Sequence, residues 1–265
     1  MEKYSLLETK YLSNQKLKLF KKIGSSAVAT DFALINGCIR TSDEQSYYFT
    51  KTPSNIGGVY CNTGYNSGID YNVNSKMFGV RPCIYDYEVN EKEIVSESSD
   101  HYLIKKGYYP QKAYDKRDSK KLEKKLKSNE LIKTDFYYST FDNKNDVYYD
   151  GNNFFVRILC KPHGLDVKLS NRCKIKINSI VWVKVEPVIW YYDKESKILC
   201  TKDVIISGLP FDNGLSYGGD FDNTFISIFL NSVFSKEMDY DYNSKDYLNL
   251  LRNSLLNNKI KIKAK

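Results

Sequence analysis

The stretch that most constrains the fold is residues 180–192, IVWVKVEPVIWYY. β-branched and aromatic side chains fill nearly every position, a composition that crowds a helix and fits a pleated, half-buried surface. A strand this long needs a sheet around it, so the chain must be organised about β-structure. Pro187 has no N–H to give to a ladder and predicts an edge strand or a bulge at that point. Trp182 and Trp190, eight positions apart, fall on the same side of a regular strand and read as core, unless Pro187 breaks the register. Asp193-Lys194-Glu195-Ser196 then predicts a hairpin into a strand over 197–200.

Composition agrees with a β-rich body. The 23 Tyr and 13 Phe among 265 residues, with few Ala, suit strands better than helices, although an AT-rich coding genome would also enrich Tyr, Lys, Asn and Ile. At 42% hydrophobic and 27% charged the chain reads as globular, with enough length for one large or two small domains. No window approaches the roughly 20 apolar residues of a membrane helix. The N-terminal Met1-Glu2-Lys3-Tyr4 has no apolar export core, which gives the expectation of a protein used without secretion and without a membrane.

Along the chain, residues 1–23 predict a short helix and a basic turn, and 27–37 a helix stopped by Gly37. Strand-like pieces follow at 47–51, 58–62 and 78–85, and a charged connector at 88–100. Residues 116–129 predict a surface helix with Leu122 and Leu126 as its apolar ridge. Asp150-Gly151 marks a hairpin between strands at 147–149 and 154–160. Asp222 or Asn223 predicts the cap of a helix to Phe234, and Ser244 the cap of another through Leu256. The basic tail 259–265 is read as a further strand or a free end.

Three patches together carry a resemblance: Ala29-Thr30-Asp31-Phe32-Ala33, then Tyr47-Tyr48-Phe49-Thr50-Lys51-Thr52-Pro53, then Gly79-Val80-Arg81-Pro82. They resemble the "TDYA … YWLRSP … GVRP" pattern of an uncharacterised family common in phages and gut bacteria. The stretches Tyr109-Pro110-Gln111, Phe155-Val156-Arg157, 182–190 and Phe229-Leu230-Asn231 are similar to other parts of that family. The resemblance implies an α+β, β-rich fold like that of C-type lectins and sulfatase-modifying factors, with a few short helices. Here the GVRP half comes first and the tryptophan half last, the reverse of the usual order. The expectation is therefore a circularly permuted unit: residues 1–95 form its first half and 171–265 its second half with the C-terminal helix. Residues 96–170 then form an inserted or appended β-hairpin subdomain.

Chemistry is sparsely signalled. The six cysteines, Cys38, Cys61, Cys83, Cys160, Cys173 and Cys200, show no paired metal spacing and read as reduced and structural. The only histidines are His101 and His163, and no HExxH motif is present. Cys61 and Cys83 lie in the GVRP half, but without the neighbours of the sulfatase-modifying reaction, so the resemblance implies the fold and not the activity. Arg81 is read as a buried guanidinium bonding carbonyls or a carboxylate, and Glu186 as the carboxylate of the long strand; both, with Trp182 and Trp190, are assigned to structure. No enzyme, cofactor or metal is expected, and Asp212, Asp220 and Asp222 read as ordinary loop acids.

Two binding readings follow. In the first, a phage or mobile-element protein, resident in the producing cell's cytoplasm or in a virion, contacts a protein or glycan through the Gly- and Asn-rich loop 55–75. Tyr60, Tyr65, Asn66 and Tyr71 are its candidate residues, because Tyr among Gly, Ser and Asn makes an adaptable surface. In the second, basic runs at 16–22, 105–127 and 259–265 bind nucleic acid or a host defence protein inside the cell.

Overall fold

A computed structural model of the chain describes residues 2–13, 27–40, 44–62, 69–160, 167–170, 172–214 and 216–263. Strand exceeds helix, 36% against 25%, so the class is β-rich α+β. The long apolar run forms β14, Ile180–Asp193. Along one edge it pairs with β8, His101–Ala113, from Val183↔Ala113 to Asp193↔His101. Its other edge is shared: β11, Phe154–Leu159, pairs with 180–184, and β15, Ile198–Thr201, pairs with 190–193. β14 is therefore interior, and the expectation of an edge strand is corrected. The alternative, a bulge, is what the strand contains: the ladder to β8 shifts between Lys184 and Val185 and again between Pro187 and Ile189. Pro187 sits where the second edge passes from one partner to the other, so its missing N–H falls in an interrupted ladder.

The bulge inverts the side-chain alternation. Val181, Val183 and Val185 enter the main core, and beyond it so do Val188, Trp190 and Tyr192. Trp182 instead joins Leu122, Leu131 and Phe155 in a small second cluster. The two tryptophans thus serve opposite faces despite their even spacing, because one extra residue exchanges the faces of everything after it.

The larger sheet continues from β15 to β6, Cys83–Ile84, and then β1, Tyr4–Ser5; at the far end β11 leads to β10, Lys144–Tyr149, and β9, Ile132–Ser139. A short strand, β7 (Ile94–Glu97), borders β8 within the stretch expected to be a connector. The smaller of the two main sheets runs β16 (Ile206–Ser207), β5 (Gly79–Val80), β2 (Tyr48–Pro53), β3 (Val59–Asn62) and β4 (Ile69–Tyr71), while β12 (Val167–Lys168) and β13 (Lys174–Ile175) pair as a separate two-stranded ladder. Both sheets draw on both ends of the chain: β6 pairs with β15 in one and β5 with β16 in the other. Residues 96–170, expected as an inserted or appended hairpin subdomain, supply β8 to β11 to the larger sheet. Their Tyr109, Tyr138, Tyr149 and Val156 lie in the same core as Leu6, Phe49 and Phe229.

Most helices are short, and several are capped by side chains. α1, Thr9–Ser13, follows β1. Thr30 caps α2, Asp31–Ile35, and Asp115 caps α3, Lys116–Lys127. Near the C-terminus the cap is Thr224, not Asp222 or Asn223, which lie in a 3-10 turn at Phe221–Asn223. From there α4, Phe225–Phe229, runs through a π-helical segment, Leu230–Phe234, into α5, Ser235–Met238. The last helix, α6, extends from Lys245 to Lys263, so the basic tail continues a helix where a strand or a free end was expected.

Asp31, inside the first motif patch, is a buried carboxylate with a structural task. It accepts from the Ala113 N–H at 2.9 Å, the Ser170 N–H at 2.8 Å and the Ser170 hydroxyl at 3.0 Å, tying α2 to the end of β8 and to the turn at Ser170. Asp31→Ala strands those donors and is expected to lower the unfolding free energy by about 3 kcal/mol in a urea titration, while Asp31→Asn, which keeps one oxygen, loses less than half as much.

Glu237 of α5 is another buried acid, accepting from the Ser139 N–H at 2.7 Å. Burial pushes its carboxyl from 4.5 up to about 7. A group that holds its proton more tightly when folded withholds stability as it ionises. No penalty exists below about 4.5, and it grows as pH rises through 7. At 1.36 kcal/mol per unit the full effect is roughly 3 kcal/mol. Glu237→Gln is expected to flatten the fall in Tm between pH 5 and 8 that the parent protein shows.

Candidate binding surface

The residues marked by the motifs come together as cross-links of the body. Arg81 is 1% exposed; its Nε donates to the Thr201 carbonyl at 2.7 Å, and its guanidinium carbon lies 5.7 Å from the Tyr48 ring centroid. It thus bonds a carbonyl, as anticipated, and links the end of β15 to β2. Gly79 lies so close to Val204 that an added Cβ would stand 2.1 Å from its Cγ1, which explains a glycine at this crossing. Glu186 is not Arg81's partner: it lies 3.4 Å from Lys184 on the same strand and is half-buried. Gln111 donates to the carbonyls of Glu186 and Pro187 at 3.2 and 2.8 Å, satisfying the bulge from a side chain. The Trp190 indole donates to the Lys106 carbonyl at 2.9 Å. That of Trp182 donates to Glu123 at 2.9 Å, and Arg157 holds the same carboxylate from its Nε at 2.7 Å. Asn231, in the π segment, accepts from the Tyr4 N–H at 2.8 Å and donates to the Tyr4 carbonyl at 2.9 Å, completing the edge of β1.

The described part of the loop proposed from sequence includes β3 and β4, which pair antiparallel. Tyr60 is half-buried on β3 opposite Asp70, and Tyr71 opposes Val59 at the end of β4. Tyr65 and Asn66 lie outside the described residues, as does His163. His101 is paired through Nδ1 with Asp100 at 2.9 Å. Asp222 pairs with Lys3 at 2.6 Å, Asp220 accepts from Asn223, and Asp212 accepts from the N–H groups of Asn213 and Phe225, so the three loop acids serve separate local bonds.

Immediately after that loop the chain enters a cleft of about 330 Å³ that draws on remote segments: Asn36 after α2, Lys76, the β9–β10 turn with Phe141, Asp142 and Asn143, and Arg157 of β11. The turn is closed by the Thr140 N–H donating to the Asn143 carbonyl at 2.8 Å. Phe141 is 37% exposed, with the Lys76 ammonium 3.4 Å from its ring centroid. Arg157 is engaged with Glu123, and Asp146, also on the wall, pairs with Lys133 at 2.7 Å. Lys76, Asp142 and Lys144 also line the cleft, so its wall mixes the Phe141 ring and the Asn36 and Asn143 amides with charged groups. Such a mixture suits a polar guest with one apolar face. Sequence reasoning did not assemble this cleft; its one local signal is the polar run Asp142-Asn143-Lys144-Asn145-Asp146 between two strands.

The thiols take no part in the cleft. All six stand outside any disulfide, and five are buried, Cys173 being half-buried. Register places Cys83 opposite Cys200, while Cys61 opposes Phe49 in the smaller sheet, so Cys61 and Cys83 stand in different sheets. Burial pushes the Cys38 thiol up to about 12 and raises Cys83 and Cys200 above their ordinary value. No metal-binding group of three or more His, Cys, Asp or Glu exists among the described residues, and no helix there is long and apolar enough to cross a membrane. No family model, curated protein or solved structure matches the chain.

A thiolate is the reactive form, so buried, raised thiols should resist alkylation. Maleimide labelling of the folded protein at pH 7.5 is expected to modify Cys173 first and alone, with the other thiols reacting only as denaturant unfolds the chain. Mass spectrometry of the peptides reads the order.

Proposed function

We propose that this chain is a non-enzymatic recognition protein of a phage or mobile element, a lectin-like scaffold that binds a glycan in the cleft beside Lys76 and the 55–75 loop. The observation that carries the reading is the cleft's chemistry: a partly exposed Phe141 ring next to the Asn36 and Asn143 amides, with the ionic groups of Arg157 and Asp146 already paired. A sugar offers an apolar face for an aromatic ring, and hydroxyls for the amides and for the charged Lys76, Asp142 and Lys144 that share the wall. The pairing of β6 with β15 and of β5 with β16 supports the permuted, lectin-like reading of the fold, because it joins the two motif halves in one body. The deep polar residues are committed elsewhere: Arg81 to Thr201, Asp31 to Ala113 and Ser170. Binding by loops on such a rigid frame leaves the partner to be set by loop chemistry.

A glycan microarray probed with the labelled protein is expected to return a defined set of neutral oligosaccharides. Against the best of them, Phe141→Ala and Asn143→Ala are each expected to weaken binding about tenfold, one aromatic contact or one hydrogen bond, with unchanged Tm. Binding that both variants retain in full, or an array without a hit, removes the proposal.

A further inference from the structure

The solvent face of α3 departs from what stability alone would select. The exposed residues of this helix are Lys116, Arg117, Lys120, Lys121, Lys124 and Lys127, cations without exception. Of the two acids of the helix, Glu123 is half-buried and serves Trp182 and Arg157, while Asp118 meets Lys121 at 2.8 Å and Arg117 at 3.8 Å. Lys116, Lys120, Lys124 and Lys127 make no ion pair among the described residues.

Two features of this face oppose helix stability. Lys116 and Lys120, Lys120 and Lys124, and Arg117 and Lys121 are like charges four residues apart, neighbours on one helix surface that repel. Lys116 and Arg117 also occupy the first turn, where the macrodipole is already positive and acids are favoured. The lysines of the last turn suit the dipole, but those of the first do not. A surface helix that only needed solvation would mix signs. Beneath the charges the helix is held firmly, by the Asp115 cap and by Leu122 seated with Leu131, Phe155 and Trp182, so the cations project from a fixed frame.

From this we infer that the outer face of α3 is a docking surface for the phosphate backbone of a nucleic acid, bound through charge and without base readout. Lys116, Lys120 and Lys124 rise about 6 Å per step along one side of the helix, a spacing of the same order as that between successive phosphates of a strand. The inner side of α3 is occupied by the sheet, so the helix lies along a backbone and does not enter a groove. No residue of α3 lines the cleft, and the assignment stands whether or not the cleft binds a sugar.

The test is a salt titration of binding to a short random-sequence DNA duplex by fluorescence anisotropy, with the full chain. Neutralisation of four to six phosphates predicts a slope of log K against log salt of about −4 to −5. The variant Lys116→Gln/Lys120→Gln/Lys124→Gln is expected to flatten that slope by about 3 and to weaken binding more than tenfold at about 50 mM salt. A control of equal net charge, Lys105→Gln/Lys176→Gln/Lys245→Gln, removes three exposed lysines from other elements and is expected to change the slope by less than about 1. Thermal melting monitors folding, and the α3 variant should melt no lower than the parent, since repulsion is removed. Equal losses in the two triple variants, absence of duplex binding at low salt, or binding to phosphatidylserine vesicles but not to the duplex would each overturn the assignment.

Discussion

Everything in the larger sheet is referred to β14, and β14 works because its bulge lets one strand serve two faces. Before Glu186 the valines at 181, 183 and 185 face the main core and Trp182 faces α3; after Pro187 the even-numbered Val188, Trp190 and Tyr192 take over the core face. A regular strand of this sequence would turn Trp190 away from Tyr4, whose ring centroid stands 6.3 Å from it, and would leave the even-numbered apolar half against solvent. The same irregularity sets the point where β11 gives way to β15 along the second edge. The carbonyls released by the bulge are bonded by Gln111, so the kink is closed without leaving a buried acceptor orphaned.

Around that strand the joins between distant parts of the chain are made by single polar side chains that satisfy backbone groups. Arg81 reaches Thr201, Asp31 reaches Ala113 and Ser170, and Asn231 reaches both backbone groups of Tyr4. The bonds of Arg81 and Asn231 supplement the ladder where the strands β1, β5 and β6 are only two residues long. Apolar burial supplies most of the driving force, but it is non-directional and accepts many arrangements. An unpaired buried donor does not, so these contacts select one arrangement among the compact ones. The residues that look like motifs are for this reason mostly residues of assembly.

Local structure was legible where the signal is local. The Asp150-Gly151 turn, the turn after Asp193 and the α3 ridge of Leu122 and Leu126 are each written within a few residues. Pro187 pointed to an edge strand or a bulge and could not decide between them, since the flanking partners come from residues 101–113, 154–159 and 198–201. The cap at Thr224 was missed because Asp222 and Asn223 are equally good capping types, and only the preceding 3-10 turn decides among them. The cleft was not legible for a related reason. Asn36, Lys76, Asn143 and Arg157 are unremarkable singly, and only the close of two sheets brings them to one wall.

The cleft and the α3 face show two ways in which a rigid body can carry charge at its surface. Around the cleft the charges of Arg157 and Asp146 are matched by Glu123 and Lys133, and such pairs add little to stability while they fix side chains in place. That suits selectivity by shape and hydrogen bonding. Four lysines of the α3 face are unmatched and repel, so their field extends to about a Debye length and weakens with salt. That suits capture of a polyanion at a distance. Glu123 lies between the two: it anchors Arg157 at the cleft, accepts from Trp182 in the core and turns the one mid-helix acid of α3 inward. By that single orientation the same carboxylate quiets one surface and leaves the other uncompensated.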